Sequence, residues 1–324
     1  MTHGTMLSND QAEKLRRLVA APRSISGAAL TPSSDPGASS VSVSPLNAAQ
    51  RLQPVRLARA IGISSGKGGV GKTNLAVNLA VCLAQRGLKV ALLDADLGLA
   101  NADVLCGLTP RSTLEDVITG ERTIEEVMVY APGGFRLVPG ASGVSRLADM
   151  GQSQRREVLL QLMRLERSVD ILLVDTGAGI GANSMAFAAA AHTILVTKTP
   201  EPTAIADAYG AIKTLVARGR RDGFQLVVNM ALDEEEALAV HARMDRVSKA
   251  FLNTRIAYAG SIPFDVALPA SVRRREPVTI GTPHAPSSKA IRRLAAKLMG
   301  ETDAAPTDVR KGFLGRLAGF LAQH

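Results

Sequence analysis

The sequence predicts an α/β fold with a doubly wound, mostly parallel sheet flanked by helices. Three observations support this prediction: short apolar segments alternate with helical patterns, most of these segments are apolar at every position, and glycine-rich or acidic residues follow several of them. Strands that are apolar throughout are buried on both faces, as in a parallel sheet covered by helices. Ligands of such sheets bind at the carboxyl ends of the strands.

Six strands are predicted, at residues 60–64, 90–93, 171–174, 193–197, 225–229 and 256–262. Helical patterns follow Thr73, Ser153 and Pro202. A chain of 324 residues with 46 % hydrophobic content can bury the core of one large domain of about 250 residues. We place this α/β domain at residues 59–300.

The segment before the domain has two predicted parts. Residues 1–20 contain a short helical pattern at 8–20, which Ser8 or Asn9 can cap and which is too short to be stable alone. Residues 21–58 are rich in Pro, Ser, Gly and Ala without periodicity, which predicts a flexible linker.

The segment after the domain begins with a second predicted linker at 301–310 and ends with an amphipathic helix at 311–324. The apolar face of this helix comprises Phe313, Leu314, Leu317, Phe320 and Leu321. Gly315 and Gly319 each lower the helix propensity of this segment by about 1 kcal/mol, so we expect it to be unfolded in water and helical on lipid. The alternative is a helix packed on its own domain.

Charge is distributed unevenly along the chain. The net charge is +9, of which residues 1–60 carry +4 and residues 271–324 carry +6, while the stretch between them is close to neutral. Basic ends on a neutral core predict terminal contacts with an anionic partner, although solubility explains the N-terminal charge equally well. Aromatic content of 3 % and the absence of Trp argue against a stacking platform for single-stranded nucleic acid.

Cysteine usage and hydropathy exclude several other classes. Cys82 and Cys106 form no C-x-x-C pair, which excludes zinc ribbons, thioredoxin motifs and a bridged iron–sulfur cluster, and both are predicted core residues. No apolar run approaches the 18 or so residues of a membrane span, and the N-terminus lacks the apolar region of a signal peptide. We therefore expect a cytoplasmic location.

A glycine-rich turn follows the first predicted strand. It reads SGKGGVGKT over residues 65–73 and leads into a helical pattern, which is the context that a phosphate-binding loop requires. Glycines let backbone N–H groups converge on phosphate oxygens, and the helix directs its N-terminus at the same oxygens. The predicted nucleotide-binding residues here are Gly66, Lys67, Gly68, Gly69, Val70, Gly71, Lys72, Thr73 and Asn74. Lys72 is expected to contact the β- and γ-phosphates of ATP, or the β-phosphate of ADP, and Thr73 to bind Mg²⁺.

Two acidic segments complete the predicted site. Asp94 and Asp96 follow one buried strand, and Asp175 ends another with the sequence that is typical of a Walker B carboxylate. We expect Thr73, Asp94 and Asp175 on the metal side, partly through water, and Asp96 to orient the attacking water. Taken singly, Asp94 or Asp175 could equally be a helix N-cap.

The phosphate loop also contains Lys67, and its pattern K-G-G-x-G-K-T resembles the deviant Walker A box of MinD, ParA, the nitrogenase iron protein and their relatives. In that class the first lysine reaches the nucleotide of a second subunit, so the resemblance implies an ATP-sandwiched homodimer. It also implies catalytic roles for Lys67, Lys72 and Asp96. By the same resemblance Asn229, which ends a strand, reads the adenine edge, since an amide offers both a donor and an acceptor.

Longer phrases resemble the FlhG/FleN family of flagellar-number regulators. They are DADLGLANAD at 94–103, GGFRLVPGASGVS at 133–145, DTGAGIG at 175–181, TPEPTAIADAYGAIK at 199–213 and GSIPFD at 260–265. The N-terminal DQAEKLR at 10–16 resembles the DQAxxLR element with which that family stimulates the GTPase FlhF. Lys198 departs from the family, which usually has a small hydroxyl residue there.

The resemblance implies a slow, partner-regulated ATPase that dimerises with ATP. The chain end KGFLGRLAGFL resembles the membrane-targeting helix of MinD and FlhG, which implies reversible binding of 311–324 to anionic lipid on the inner face of the cell membrane. Implied partners are an FlhF-like GTPase through 8–20, flagellar C-ring components and a flagellar transcription regulator. Direct DNA binding is not expected.

Two other functions share this chemistry. A MinD-type regulator of the division site would differ in its partners alone. A ParA-type cargo positioner would bind nucleoid DNA through Arg273, Arg274 and Arg275, and the salt dependence of DNA binding would distinguish it.

Overall fold

The computed structural model describes residues 57–96, 100–140, 151–300 and 312–321. Every described residue belongs to one compact unit, Leu52–His324. The predicted helix at 8–20, the linker at 21–58 apart from its last two residues, and the linker at 301–310 lie outside the described residues.

Within the described part of the chain, eight strands form one sheet in the order β3-β4-β2-β5-β1-β6-β7-β8. The pairs are parallel except for β3 with β4, which is antiparallel. The strands are β1 Arg59–Ser64, β2 Val90–Ala95, β3 Val129–Tyr130, β4 Arg136–Val138, β5 Ile171–Thr176, β6 Thr193–Lys198, β7 Phe224–Ala231 and β8 Ala257–Pro263. The first strand therefore lies in the interior of the sheet, between β5 and β6.

The described helices cover both faces of this sheet. They are α1 Lys72–Ala84, α2 Ala102–Leu105, α3 Leu114–Thr119, α4 Ile124–Val127, α5 Gln152–Ser168, α6 Ala182–Ala190, α7 Pro202–Ala217, α8 Glu234–Leu252, α9 Ala267–Arg274, α10 Val278–Gly281, α11 Pro286–Gly300 and α12 Phe313–Leu321. None of these described helices combines the length and the hydropathy that crossing a membrane requires.

Alternating strand residues form separate cores on the two faces. Ile61 and Ile63 of β1 pack with α1 and α11, whereas Ala60 of the same strand packs with α5, α6 and α12 on the opposite face. The second face continues under α7 and α8, where Ile194 and Val196 of β6 are fully buried. Burial on both faces explains why the strands are apolar at every position.

The six predicted strands are confirmed, and so is the doubly wound sheet. The sequence did not predict β3 and β4, which have two and three residues and are too short to show a periodic pattern. They add one antiparallel pair at the edge of the sheet, beside β2. The predicted burial of Cys82 and Cys106 is also confirmed, and both thiols are free.

Helix α12 packs on the α/β domain. Phe313, Leu314 and Leu317 are buried against α5 and α6, and the ring centroid of Phe313 lies 6.3 Å from that of Phe187. Three residues of the apolar face that the sequence predicted for lipid are thus covered by protein in this conformation, as in the alternative of a helix packed on its own domain.

Candidate nucleotide-binding site

The glycine-rich turn connects the carboxyl end of β1 to the first residue of α1. Gly69 and Gly71 have φ angles of 77° and 88°, a region that side chains other than glycine rarely adopt. The Ser65 hydroxyl donates a 2.7 Å hydrogen bond to the Lys67 carbonyl and closes the turn. Lys72 opens α1 and is 6 % exposed, so its ammonium lies inside the loop.

Lys67 differs from Lys72 in its environment. Residues 67–69 are exposed, so the Lys67 side chain lies on the outer surface of the loop. The neighbouring Gly66 is pressed against α7, where an added Cβ atom would lie 1.9 Å from the carbonyl oxygen of Asp207. The backbone of the loop is therefore fixed by a helix at a point where only glycine fits, while the lysine beside it is free to reach outward.

Asp175 lies in β5, next to the loop, in an environment that disfavours a negative charge. Its residue is fully buried, and neither carboxylate oxygen has a hydrogen-bond partner among the described residues. Burial and the nearby Asp94 carboxylate raise the pKa of Asp175 to about 8, while the Thr73 hydroxyl and the Lys72 ammonium act in the opposite direction. Two unsatisfied carboxylate oxygens beside Thr73 form a suitable position for a hydrated cation.

Asp94 is paired with Asp175 across β2 and β5, but its oxygens are already engaged. One oxygen accepts a hydrogen bond from the N–H of Asp96, and the other accepts from the N–H groups of Asn101 and Ala102, each at 3.1 Å. Burial raises the pKa of Asp94 to about 6 despite these bonds. The N-cap of α2 is Asn101, so Asp94 supports the start of this helix from the neighbouring strand rather than as its N-cap residue. The predicted metal-side roles of Asp94 and Asp175 remain predictions.

Asp96 lies beside Gly177, at the point where the segments after β2 and β5 meet. A Cβ atom at Gly177 would lie 3.1 Å from an Asp96 carboxylate oxygen and 2.9 Å from the Ser184 hydroxyl. The structure thus brings Asp96 and the segment that follows Asp175 together, as the sequence predicted. Its predicted role with the attacking water remains a prediction.

Asn229 is brought to the phosphate loop from the end of β7. The amide nitrogen of Asn229 donates a 2.8 Å hydrogen bond to the Val70 carbonyl, and the residue is 4 % exposed. The adjacent Met230 has a positive φ of 59° at an irregularity of the β7–β8 pairing. Part of the amide therefore supports the loop, and its predicted contact with adenine stays a prediction.

Two close approaches at the site were not predicted. Gly140 lies so close to Asp94 that a Cβ atom would be 2.6 Å from the carbonyl oxygen of Asp94, and Asp207 meets Gly66 through its own carbonyl. The sequence does draw attention to Gly140, because it lies in the family phrase GGFRLVPGASGVS at 133–145. The phrase does not show which atom the glycine faces. The Asp207 contact has no side-chain signal because it is made by the main chain.

Similarity to known proteins identifies the family of this chain. The matching family model is that of ParA, described as NUBPL iron-transfer P-loop NTPase, and it covers residues 56–299. The antiactivator FleN of Pseudomonas aeruginosa is 40 % identical over 247 residues, 76 % of this chain and 87 % of that protein. The flagellum site-determining protein YlxH of Helicobacter pylori is 34 % identical over 266 residues, 81 % of this chain and 90 % of that protein.

Solved structures give the same fold. MinD of Aquifex aeolicus, in its complex with MinC, matches with a TM-score of 0.60 and 31 % identity over 76 % of this chain and 98 % of that one. MinD of Pyrococcus horikoshii OT3, complexed with Mg-ADP, has a TM-score of 0.61 at 22 % identity, covers 75 % of this chain and 96 % of that one, and shows the fold alone.

Fold and site together define a P-loop nucleoside triphosphatase with a second lysine in its phosphate loop. The chain belongs to the ParA family, among its MinD-like FlhG/FleN members. It is an ATPase that uses Mg²⁺, and the glycine cradle, Thr73 and the unsatisfied oxygens of Asp175 fit Mg-ATP. ATP would supply the phosphoanhydride bond that is cleaved, and Lys72 and the backbone N–H groups of the loop would hold its phosphates.

Proposed function

We propose that this ATPase is a dimerising, membrane-associating switch that regulates the number and placement of flagella. The switch is proposed because α12, which the sequence predicts to bind lipid, buries Phe313, Leu314 and Leu317 on the domain. Lipid binding therefore requires that this helix leave the domain. The flagellar role is supported by the similarity to FleN and YlxH over most of their lengths.

The dimer is proposed from the exposure of Lys67. A lysine on the outer surface of the phosphate loop would add little to binding of the subunit's own nucleotide, for which the buried Lys72 is the expected contact. It can contact the phosphates of a second nucleotide when two loops face each other. ATP would then join two copies of the chain, and hydrolysis would separate them.

The position of α12 is specified by Glu166 of α5. This carboxylate is 2 % exposed and accepts hydrogen bonds from the N–H groups of Phe313 at 2.7 Å and Leu314 at 3.3 Å, which are the first two residues of α12. Gly312 approaches so closely that a Cβ atom would lie 2.7 Å from a Glu166 oxygen. A buried carboxylate at a helix N-terminus both satisfies free N–H groups and complements the helix dipole.

Release of α12 would exchange one apolar environment for another. Phe313 and Leu317 are fully buried, and each such side chain gains about 1.5–3 kcal/mol on leaving water, whether the new surroundings are protein or lipid. The free-energy difference between docking on the domain and binding to lipid is therefore small compared with the free energy of either burial. Two released helices on one dimer would bind lipid much more tightly than one, since the second binds intramolecularly.

Partner contacts are proposed for the chain ends. Residues 1–20 would stimulate an FlhF-like GTPase, and C-ring components with a flagellar transcription regulator would be further partners, by the family likeness. Residues 21–58 and 301–310 would serve as linkers to the domain at 59–300, and residues 311–324 would bind anionic lipid on the inner face of the membrane.

The test is sedimentation with liposomes that contain anionic lipid, using the full-length chain with ATP and with ADP. We expect more protein in the pellet with ATP. Phe320→Glu should abolish the pelleting without changing nucleotide affinity, because Phe320 belongs to the apolar face of α12. Leu160→Glu is the matched control, since Leu160 is 41 % exposed on α5, outside α12.

Equal sedimentation of wild type and Phe320→Glu in both nucleotides would contradict the membrane switch. Binding of a random DNA duplex by the same samples, with a steep dependence on salt, would then support the nucleoid-binding alternative through the exposed Arg273, Arg274 and Arg275.

A further inference from the structure

Lys198 is a buried ammonium that the nucleotide site does not use. It ends β6, is 1 % exposed, and its Nζ atom has no hydrogen-bond partner among the described residues. Burial lowers the pKa of Lys198 to about 8, the charge of Arg243 acts in the same direction, and Glu201 opposes them. Burying an unpaired charge is costly, so an apolar side chain at this position would raise the free energy of unfolding of this conformation.

The surroundings of Lys198 connect it to the phosphate loop. Strand β6 lies next to β1, which leads into that loop, and only three residues separate Lys198 from the start of α7. Helix α7 in turn contacts Gly66 through the Asp207 carbonyl. A change at the N-terminus of α7 can therefore be transmitted to the loop through rigid main chain.

A carboxylate would form the ion pair that the Lys198 ammonium can make. Glu201, the N-cap residue of α7, is exposed, makes no capping hydrogen bond with its side chain, and is near enough to raise the pKa of Lys198 without bonding to it. The first turn of α7 contains no acidic residue, so Glu201 at the N-cap is the carboxylate at this end of the helix that can face the positive end of its dipole. One carboxylate placed here would neutralise the buried ammonium and face the positive end of the helix.

We propose that Lys198 is a carboxylate-binding residue that acquires its partner in the ATP-bound dimer and so holds α7 against the phosphate loop in that state. The inference rests on the dimer of the proposed function. The carboxylate comes either from Glu201, after a shift of residues 199–201, or from an acidic side chain of the second copy. In both cases the new ion pair offsets the cost of burying the unpaired lysine and so favours the dimer.

The test uses Lys198→Met in the full-length chain, because methionine keeps the length of the side chain and removes its charge. We expect a higher Tm than that of the wild type without nucleotide, and a dimer dissociation constant raised about 10-fold or more with a non-hydrolysable ATP analogue, the usual effect of losing a charged hydrogen bond. Lys213→Met is the control, since Lys213 is exposed on the same α7, and it should change neither quantity.

The opposite signs of the two effects distinguish this role from a general loss of stability. A lower or equal Tm, or an unchanged dimer constant for Lys198→Met beside a wild type that dimerises, would overturn the inference alone. A wild type that stays monomeric would overturn the proposed switch together with the inference.

Glu201→Gln identifies the source of the carboxylate. If Glu201 is the partner, this variant weakens the dimer as much as Lys198→Met does, and combining the two substitutions adds nothing further. If the second copy supplies the carboxylate, Glu201→Gln dimerises like the wild type while Lys198→Met remains weak.

Discussion

The two lysines of the phosphate loop occupy different environments at a separation of five residues. Lys72 is buried at the start of α1, and Lys67 is exposed on the surface of the loop. Lys72→Ala should therefore abolish ATP binding, since the β- and γ-phosphates lose their main side-chain contact. Lys67→Ala should keep ATP binding within about 3-fold and lose dimerisation and turnover. Isothermal titration with ATP separates the two variants, and unchanged affinity in Lys72→Ala would remove the assignment of the loop.

Gly177 determines where the Asp96 carboxylate can lie. Gly177→Ala would place a Cβ atom 2.9 Å from the Ser184 hydroxyl and 3.1 Å from an Asp96 oxygen, so the carboxylate has to move. We expect turnover to fall about 10-fold or more with ATP affinity nearly unchanged, since a misplaced catalytic group slows the reaction without weakening binding. Asp96→Ala should show the same pattern more strongly. Wild-type turnover in both variants would contradict the role of Asp96 with the attacking water.

These residues also show how much of the site could be predicted. The position of the glycines, Lys72, Thr73 and Asp175 at strand ends could be predicted because each lies in a short pattern that follows a strand. The hydrogen bonds of Asp94 could not, because its donors, the N–H groups of Asn101 and Ala102, belong to the main chain of another element.

At the scale of the element, α12 connects the chain end to the α/β domain through Glu166. Glu166→Ala removes the acceptor of two buried N–H groups, and hydrogen bonds to a charged group contribute about 1.5–3 kcal/mol. With two such bonds lost, docking of α12 should weaken by about 100-fold or more, and liposome binding with ADP should rise toward the level with ATP. Glu157→Ala, on an exposed part of the same helix, is the matched control. Reduced liposome binding in Glu166→Ala would show that the docked helix is not in competition with lipid.

At the scale of the whole molecule, the α/β domain and the N-terminal segment should be functionally separable. Deleting residues 1–20 should leave ATP affinity and basal turnover within about 2-fold, because the family match begins at residue 56 and every nucleotide-site residue lies beyond it. Stimulation of an FlhF-like GTPase should be lost. A GTPase assay with and without the truncated protein measures this, and a truncated protein that unfolds would show that the segment is structural.

The sequence by itself determined the fold class, the phosphate loop and the acidic strand ends, because each is encoded within about ten consecutive residues whose periodicity or backbone requirements are local. Tertiary structure alone decided the contacts between distant parts of the chain. Glu166 meets Phe313 across 147 positions, the Asp207 carbonyl presses on Gly66, and Lys198 ends its strand under helices that cover it. Such contacts depend on which faces of the packed elements meet. Where main-chain atoms make the contact, the sequence carries no signal, because the main chain is the same at every position.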